Sequence, residues 1–470
     1  MRLGIDLGTT RTVVAAVDRG NYPVAGFTSE DGELQEWLPS RQDGISSFKR
    51  QLARARIGEP AFAITVAFLQ RLEHALRHRS NLSIPEGEEL EAVVGIPANA
   101  SSTQRFLTVE AFRAAGFQVL AVVNEPSAAG LEFAHRHRKA ITSFREHVLV
   151  YDLGGGTFDA SLIDMGDRDH RVLSSSGVGE LGGDDFDRVL LELAIEKGKL
   201  GALSPAVEKA ILDECCQKKE SLQPQTKKIV LDLSAIAPGR ELVLSVADVF
   251  ERCTPLVERT VEALLAALKT PTRTVAAEDV AGVYVVGGAS ALPVVGRILR
   301  ERFGRRVFRS PYSFAATAIG LAIAADEAAG VALSDCFTRH FGVWREEAGG
   351  EHASFDTIFA KDTPLPASGG GPLASVRRYQ ASHNIGHFRF LECSHLGDAG
   401  IPSGDLMLRR EVRFPFDAGL RNAPSLDQLP VTRKDGGPMI EERYECTTDG
   451  IVHLTVTSLA DGFSRKFPLV

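Results

Sequence analysis

Hydrophobic positions along this chain follow two alternating periods as far as about Asp326, and mainly one beyond about Val331. In the first part, EAVVGIP (Glu91–Pro97), QVLAVVNEP (Gln118–Pro126) and the start of GVYVVGGASALPVVGRILRERFG (Gly282–Gly304) are short apolar runs that read as buried strands. Between them the spacing predicts helices over 61–79, up to Gly116, from AAGLEFAHR onward, through VGELGGDDFDRVLLELAI (Val178–Ile195), and over about 205–222 and 247–268. A strand pair is predicted at 228–246, a basic helical segment in FKRQLARAR (Phe48–Arg56), and a Gly-Gly turn opening into a helix after Val286. Alternation of this kind predicts an α/β domain. From Cys336 to Val470 the pattern shortens to half-buried strands, HFRFLE, YECTT and IVHLTVTS, with the Asp-Gly of Thr448–Ile451 as a hairpin turn and PASGGGPLAS (Pro366–Ser375) as a loop. That region predicts a separate antiparallel β-sandwich.

Two segments repeat one design. Residues 4–17 read GIDLGTTRTVVAAV, and residues 151–164 read YDLGGGTFDASLID. Each is a strand, Asp-Leu-Gly, a Gly/Thr-rich turn and a second strand. Glycine lets backbone N–H groups approach phosphate oxygens and threonine adds donors, while Asp6 and Asp152 at the strand ends suit Mg²⁺ held through its waters. One such turn alone equally suits a tight hairpin. The duplicate on a matching frame points instead to two like halves facing each other across a nucleotide.

Length and charge narrow the classes further. The 470 residues suggest several units, and 44% hydrophobic with 24% charged residues is ordinary for a globular protein. A net charge of −8 argues against a general nucleic-acid or anionic-membrane binder, and the basic run His135–His147 reads as a solvated helix end. The N-terminus enters a strand without signal-peptide architecture, and the apolar stretch Phe314–Ala325 is too short for a bilayer and reads as a buried helix. The six cysteines show no zinc spacing and fit reduced thiols in a cytoplasmic protein.

In order, GIDLGTT, the FKR segment, VGIP…TQR, NEPSAAG, YDLGGGTFD, GELGGDDFD and VVGGASALP make the whole chain resemble the heat-shock-protein-70 (DnaK-type) chaperone family. The resemblance implies an actin-like ATPase domain of two similar lobes over 1–328, a linker at 329–336, and a β-sandwich over 337–470 that holds extended apolar peptide, here without a helical lid. It implies ATP/ADP and Mg²⁺, client polypeptides, and a J-domain co-chaperone and nucleotide exchange factor as further partners. By the same resemblance Asp6, Gly8, Thr9, Thr10 and Arg11 lie on the first phosphate loop and Asp152, Gly155, Gly156 and Thr157 on the second. Gly182 and Gly183 approach the phosphates from the other lobe. Lys49 stands where the family keeps its catalytic lysine, with a solvated helix lysine as the alternative, and Glu125 and Asp159 match acids that order water and magnesium. Lys219 matches a ribose contact, and Gly287 and Gly288 permit close backbone approach. Val343, Phe388 and Phe390 are candidate peptide-pocket residues or simply sandwich core.

Departures cluster on the adenosine side and at the coupling elements. Cys216 replaces an acid, Glu220 sits where an arginine often lies, and Ala291 replaces a second adenine-stacking arginine. Each guanidinium stack contributes roughly 0.5–2 kcal/mol. The linker GVALSDC (Gly330–Cys336) has only Val331 and Leu333 as strong aliphatics, Asn99 replaces an aromatic, and Glu346 falls near an apolar arch position. Three readings stay open: an ATP-hydrolysing chaperone, an actin-fold phosphotransferase such as a sugar kinase, and a nucleotide-sensing scaffold with one dedicated partner. The sugar-kinase reading lacks an identifiable substrate-deprotonating Asp and leaves the sandwich unexplained.

Overall fold

A computed structural model describes residues 1–469 apart from 30–31, 43–44, 47, 53–58, 99, 143–144, 167–168, 271, 367–369 and 435. The predicted segment Phe48–Arg56 is thus described only as helix α1 (Phe48–Leu52); its remainder, and Asn99, lie outside the described residues. Further helices are α2 (Pro60–His78), α3 (Ser102–Ala114), α4 (Glu125–Arg136), α5 (Gly183–Gly198), α6 (Pro205–Glu220), α7 (Val246–Ala266), α8 (Pro293–Phe303) and α9 (Ala316–Ala325). The chain divides into two compact units. The first is built mainly from Met1–Leu52 and Ala111–Leu333, the second mainly from Ser334–Val470 with Ala100–Glu110.

The first unit contains one sheet design twice. In the five-stranded sheet, Arg11–Ala16 lies antiparallel to Arg2–Leu7, which is followed outward by the parallel strands Glu91–Ile96 and Gln118–Asn124. In the six-stranded sheet, Phe158–Asp164 lies antiparallel to His147–Leu153, followed by the parallel strands Val280–Val286 and Val307–Arg309. The internal repeat is therefore a repeat of sheet order, and it puts Asp6 and Asp152 at equivalent strand ends. The strand Ala332–Ser334 extends the outer edge of the six-stranded sheet, and Val331 and Leu333 pack on apolar clusters of this unit. The segment read as linker thus contributes a strand.

Helix α9 is buried along its length, as its apolar composition requires. Small residues let it approach both α4 and the strand Arg2–Leu7: a Cβ added at Gly320 would collide with the Ala128 carbonyl oxygen, and one at Gly4 with the Ala322 backbone nitrogen. No helix among the described residues is long and apolar enough to cross a membrane. All six cysteines are unpaired.

The second unit has two four-stranded antiparallel sheets. Phe341, Val343, Phe390 and Phe414 of one meet Ile440, Tyr444, Leu454 and Val456 of the other in one core. The predicted Asp-Gly turn is present: Gly450 has φ 76° and Cys446 pairs with Val452.

The α4–α9 approach leads to a stability prediction. Gly320→Ala is expected to destabilise the chain by about 1–3 kcal/mol, because the backbone it would strike has no rotamer to change. Urea unfolding measures this, and a midpoint equal to the parent's would show that α9 can shift freely.

Candidate functional site

Between the two hairpin turns lies a cleft of about 620 Å³ within the first unit. Asp6, Gly8, Thr9, Thr10 and Arg11 line it from one sheet, and Asp152, Gly155, Gly156 and Thr157 from the other. The turns touch: a Cβ at Gly155 would strike Thr10 Oγ1. Gly183 N–H donates to the Gly154 carbonyl at 2.9 Å and Asp184 N–H to the Gly155 carbonyl at 2.8 Å, which seats the start of α5 against the second turn. Gly287 has φ 85°, and a Cβ there would run into an Asp152 carboxylate oxygen, so only glycine fits.

At the closed end of the cleft, among the described residues, one cation meets four carboxylates. Lys49 on α1 is ion-paired with Glu125, the first residue of α4. Asp159 sits directly opposite Asp152 in the hairpin register and is buried. Burial, followed by the charge of Glu125, pushes the Asp6 carboxyl up to about 7 despite the pull of Lys49. Burial and then Glu125, Asp6 and Asp159 raise Asp152 well above the usual carboxylate range. Burial draws the Lys49 ammonium down, but Glu125, Asp6 and Asp159 outweigh it and leave it raised. Lys49 is therefore a buried, charged residue, which sets aside its reading as a solvated helix lysine. The surplus of negative charge fits a bound cation.

The open end differs in chemistry. Lys219 Nζ is held at 2.8 Å by Asp187 and donates to the Gly183 carbonyl at 2.8 Å. Arg11 reaches across from its sheet to Glu220 on α6 at 2.7 Å and lies over the Trp37 ring at 4.6 Å from its centroid. Ala291 lines the wall with no side chain to stack, and Gly288 is beside it. The Cys216 thiol is pushed up to about 11 by burial and by Asp187, so it is not a reactive thiolate at neutral pH.

Most of the residues singled out from sequence are thus brought together. Asp187 was not among them, although it ends the GELGGDDFD motif one helical turn past Gly183 and so shares its face. Ser40, Ser313 and Phe314 from irregular segments and Thr317 from the first turn of α9 also line the cleft; no local pattern marks them. Val343, Phe388 and Phe390 lie elsewhere, inside the sandwich core with 0%, 4% and 0% of their surfaces exposed. Glu346 pairs with Arg433 and His383.

A duplicated strand–turn–strand sheet with a lysine–carboxylate cluster at the junction is the framework of an actin-like ATPase domain. The family model described as Hsp70 protein matches residues 63–345, more than half of the chain. This chain belongs to the Hsp70 family, with two actin-like lobes followed by a β-rich region. It is similar to the chaperone protein DnaK of Thermotoga petrophila, at 30% identity over 98% of this chain and 78% of the relative. The chaperone protein DnaK of Thermotoga neapolitana matches at 29% over the same shares, and that of Thermosipho africanus at 29% likewise. Membership supports a chaperone-type ATPase.

The carboxylate surplus makes a pH-dependent prediction. Asp6 ionises near 7 when folded against an ordinary value of 3.8, so the folded state keeps a proton that the unfolded chain has released. Its contribution to stability therefore falls as pH rises from about 4 to about 7, and a divalent cation offsets the loss. The rise in melting midpoint on adding Mg²⁺ should grow between about pH 6 and about pH 8, and Asp6→Asn should flatten that growth. A Mg²⁺ effect independent of pH in the parent would refute the assignment of charge at Asp6.

Proposed function

We propose that the cleft binds ATP and ADP with Mg²⁺ and hydrolyses ATP slowly, and that nucleotide state controls the hold of the β unit on extended or unfolded polypeptide. The observation that carries this reading is the set of Asp6, Glu125, Asp152 and Asp159 around Lys49, beneath two Gly/Thr turns that meet. Among the described residues no three His, Cys, Asp or Glu gather as a direct metal-ligand set. Asp6 and Asp152 would accordingly hold Mg²⁺ through its waters. Magnesium bound with the triphosphate neutralises charge and polarises the phosphoryl oxygens.

This chain's own groups do the rest. Backbone N–H groups of the two turns, with the hydroxyls of Thr9, Thr10 and Thr157, receive phosphate oxygens, and Gly182, Gly183, Gly287 and Gly288 leave room for them. Lys49 stabilises charge developing on the γ-phosphate, while Glu125 and Asp159 orient the attacking water. As the water oxygen bonds to phosphorus, the bond to the β,γ-bridging oxygen breaks, giving ADP and inorganic phosphate. The proton released from the water passes to the carboxylates that orient it, Glu125 and Asp159, and from there to solvent.

At the base end Asp187 holds Lys219, which would contact the ribose, and positions 220 and 291 carry no arginine to stack on the base. Phosphate contacts then supply most of the affinity. Binding in the β unit would run through strand-like backbone hydrogen bonding, with ATP and ADP biasing two states of the protein. Client polypeptides, a J-domain co-chaperone and an exchange factor in the cytoplasm belong to this reading.

ATP turnover with and without an unfolded protein tests it. Lys49→Ala and Asp152→Asn should each lower turnover by roughly a hundredfold, in line with loss of one electrostatic contact to a transition state. Parental rates in both would remove the catalytic assignment. Labelled extended peptide should leave the full chain faster with ATP than with ADP; equal release would uncouple the two units.

Base selectivity gives a separate readout. GTP should compete with ATP to within about tenfold, and Ala291→Arg should tighten ATP by up to about tenfold through stacking. A strong ATP preference in the parent would mean that other groups grip the adenine.

A further inference from the structure

Thirteen positions from Arg297 to Arg309 hold six arginines and one carboxylate, Glu301. This run holds six arginines against three in His135–His147, and buried apolar positions interrupt it. It covers the end of α8, the turn Gly304–Arg306 and the edge strand Val307–Arg309. Ile298, Leu299 and Phe303 take the inner side of α8, which crowds the arginines outward.

The six are unequally paired. Arg297 lies 4.0 Å from Glu301 and Arg302 lies 3.1 Å from Glu258. Arg306 donates to the Ala277 carbonyl at 2.8 Å, and Arg309 donates to the Ser290 carbonyl. Arg300 and Arg305 are exposed and have no carboxylate partner among the described residues. After burial, the charge of Arg300 is what depresses the Arg309 guanidinium, so two like charges sit close together. An anion between them would relieve that repulsion.

We propose that Arg300, Arg305 and Arg309 form a docking site for an Asp/Glu-rich polypeptide segment, and that docking is transmitted to the cleft through the Arg309–Ser290 contact. Guanidinium forks match carboxylates in pairs. The face is confined to one helix end and one edge strand and is bordered by Glu258 and Glu301, on a chain of net charge −8. Those features suit a short acidic segment better than a nucleic-acid backbone, which needs a longer cationic track. Ser290 belongs to the turn Gly288–Ala291, and its hydroxyl donates to the Gly287 carbonyl at 2.6 Å. Gly287 in turn packs against the Asp152 carboxylate. A carboxylate that engages Arg309 competes with the Ser290 carbonyl for its donor and loosens the wall of the cleft. The docking site stands on its own; the transmission rests on the cleft being a nucleotide site.

Anisotropy of a fluorescein-labelled oligo-glutamate peptide, titrated with the full chain, tests docking. Binding is expected to weaken as salt rises and to fall by at least about tenfold in the double variant Arg300→Glu/Arg305→Glu, with Arg300→Lys/Arg305→Lys keeping part of it. Far-ultraviolet circular dichroism and the melting midpoint should match the parent in both variants. No binding by the folded parent, or binding unchanged by the charge reversal, overturns the site. A single-stranded oligonucleotide bound as tightly as the peptide overturns the choice of partner. For transmission, release of a fluorescent ADP analogue should quicken several-fold with the peptide present. Arg309→Ala should remove that response. A response equal to the parent's in Arg309→Ala overturns the route through Ser290. Failure to bind any nucleotide overturns transmission together with the proposed function, leaving docking to be judged by anisotropy.

Discussion

The burial of more negative charge than positive at one point is the constraint around which the first unit is organised. Among the described residues, Asp6, Glu125, Asp152 and Asp159 share a single lysine, and burial lifts the proton affinity of Asp6 and Asp152. Carboxylates left to themselves would move apart or turn toward water. Here each is held by a separate rigid element: two hairpin strands, the strand that follows the second turn, and the start of α4. The turns that fix them also line the same cleft. The unfavourable electrostatics and the cleft are thus two consequences of one duplicated sheet.

The two ends of the cleft are physically unlike. At the inner end the groups are buried and interact in a low dielectric, where charge pairs act strongly. At the outer end the Arg11–Glu220 pair is 32% and 44% exposed, so solvent screening leaves it little energetic weight. Its effect is on shape and on which groups are available: Arg11 is turned toward Trp37 and Glu220, away from the cleft floor. The inner end is thus governed by buried charge and the outer end by screened, half-exposed groups.

The second unit carries its own buried charge. Arg345 bonds to the Glu442 carboxylate at 2.8 and 2.6 Å, and Tyr379 and Tyr444 donate hydroxyls to the same group. The Arg345 guanidinium and Glu442 belong to opposite sheets, so the network ties the sandwich together through its interior. A fully bonded pair of this kind is costly to break one partner at a time, by about 3–5 kcal/mol. Val343, Phe388 and Phe390 pack in the same core.

What the sequence determined is what local chemistry determines. The repeated Asp-Leu-Gly turns announced two like sheets, because an Asp at a strand end followed by Gly and Thr has few other uses when it occurs twice. The helices α6, α7 and α9 and the Asp-Gly hairpin followed from period, capping and turn preference. Pairing was beyond its reach. That Arg11 would meet Glu220, that Asp187 would anchor Lys219, and that Ala332–Ser334 would become an edge strand depend on contacts between residues far apart in the chain. The same holds for the valine and phenylalanines of the sandwich. An apolar residue in a strand has the same pattern whether it faces a ligand or the opposite sheet, and only the packing of the second sheet decided that these face inward.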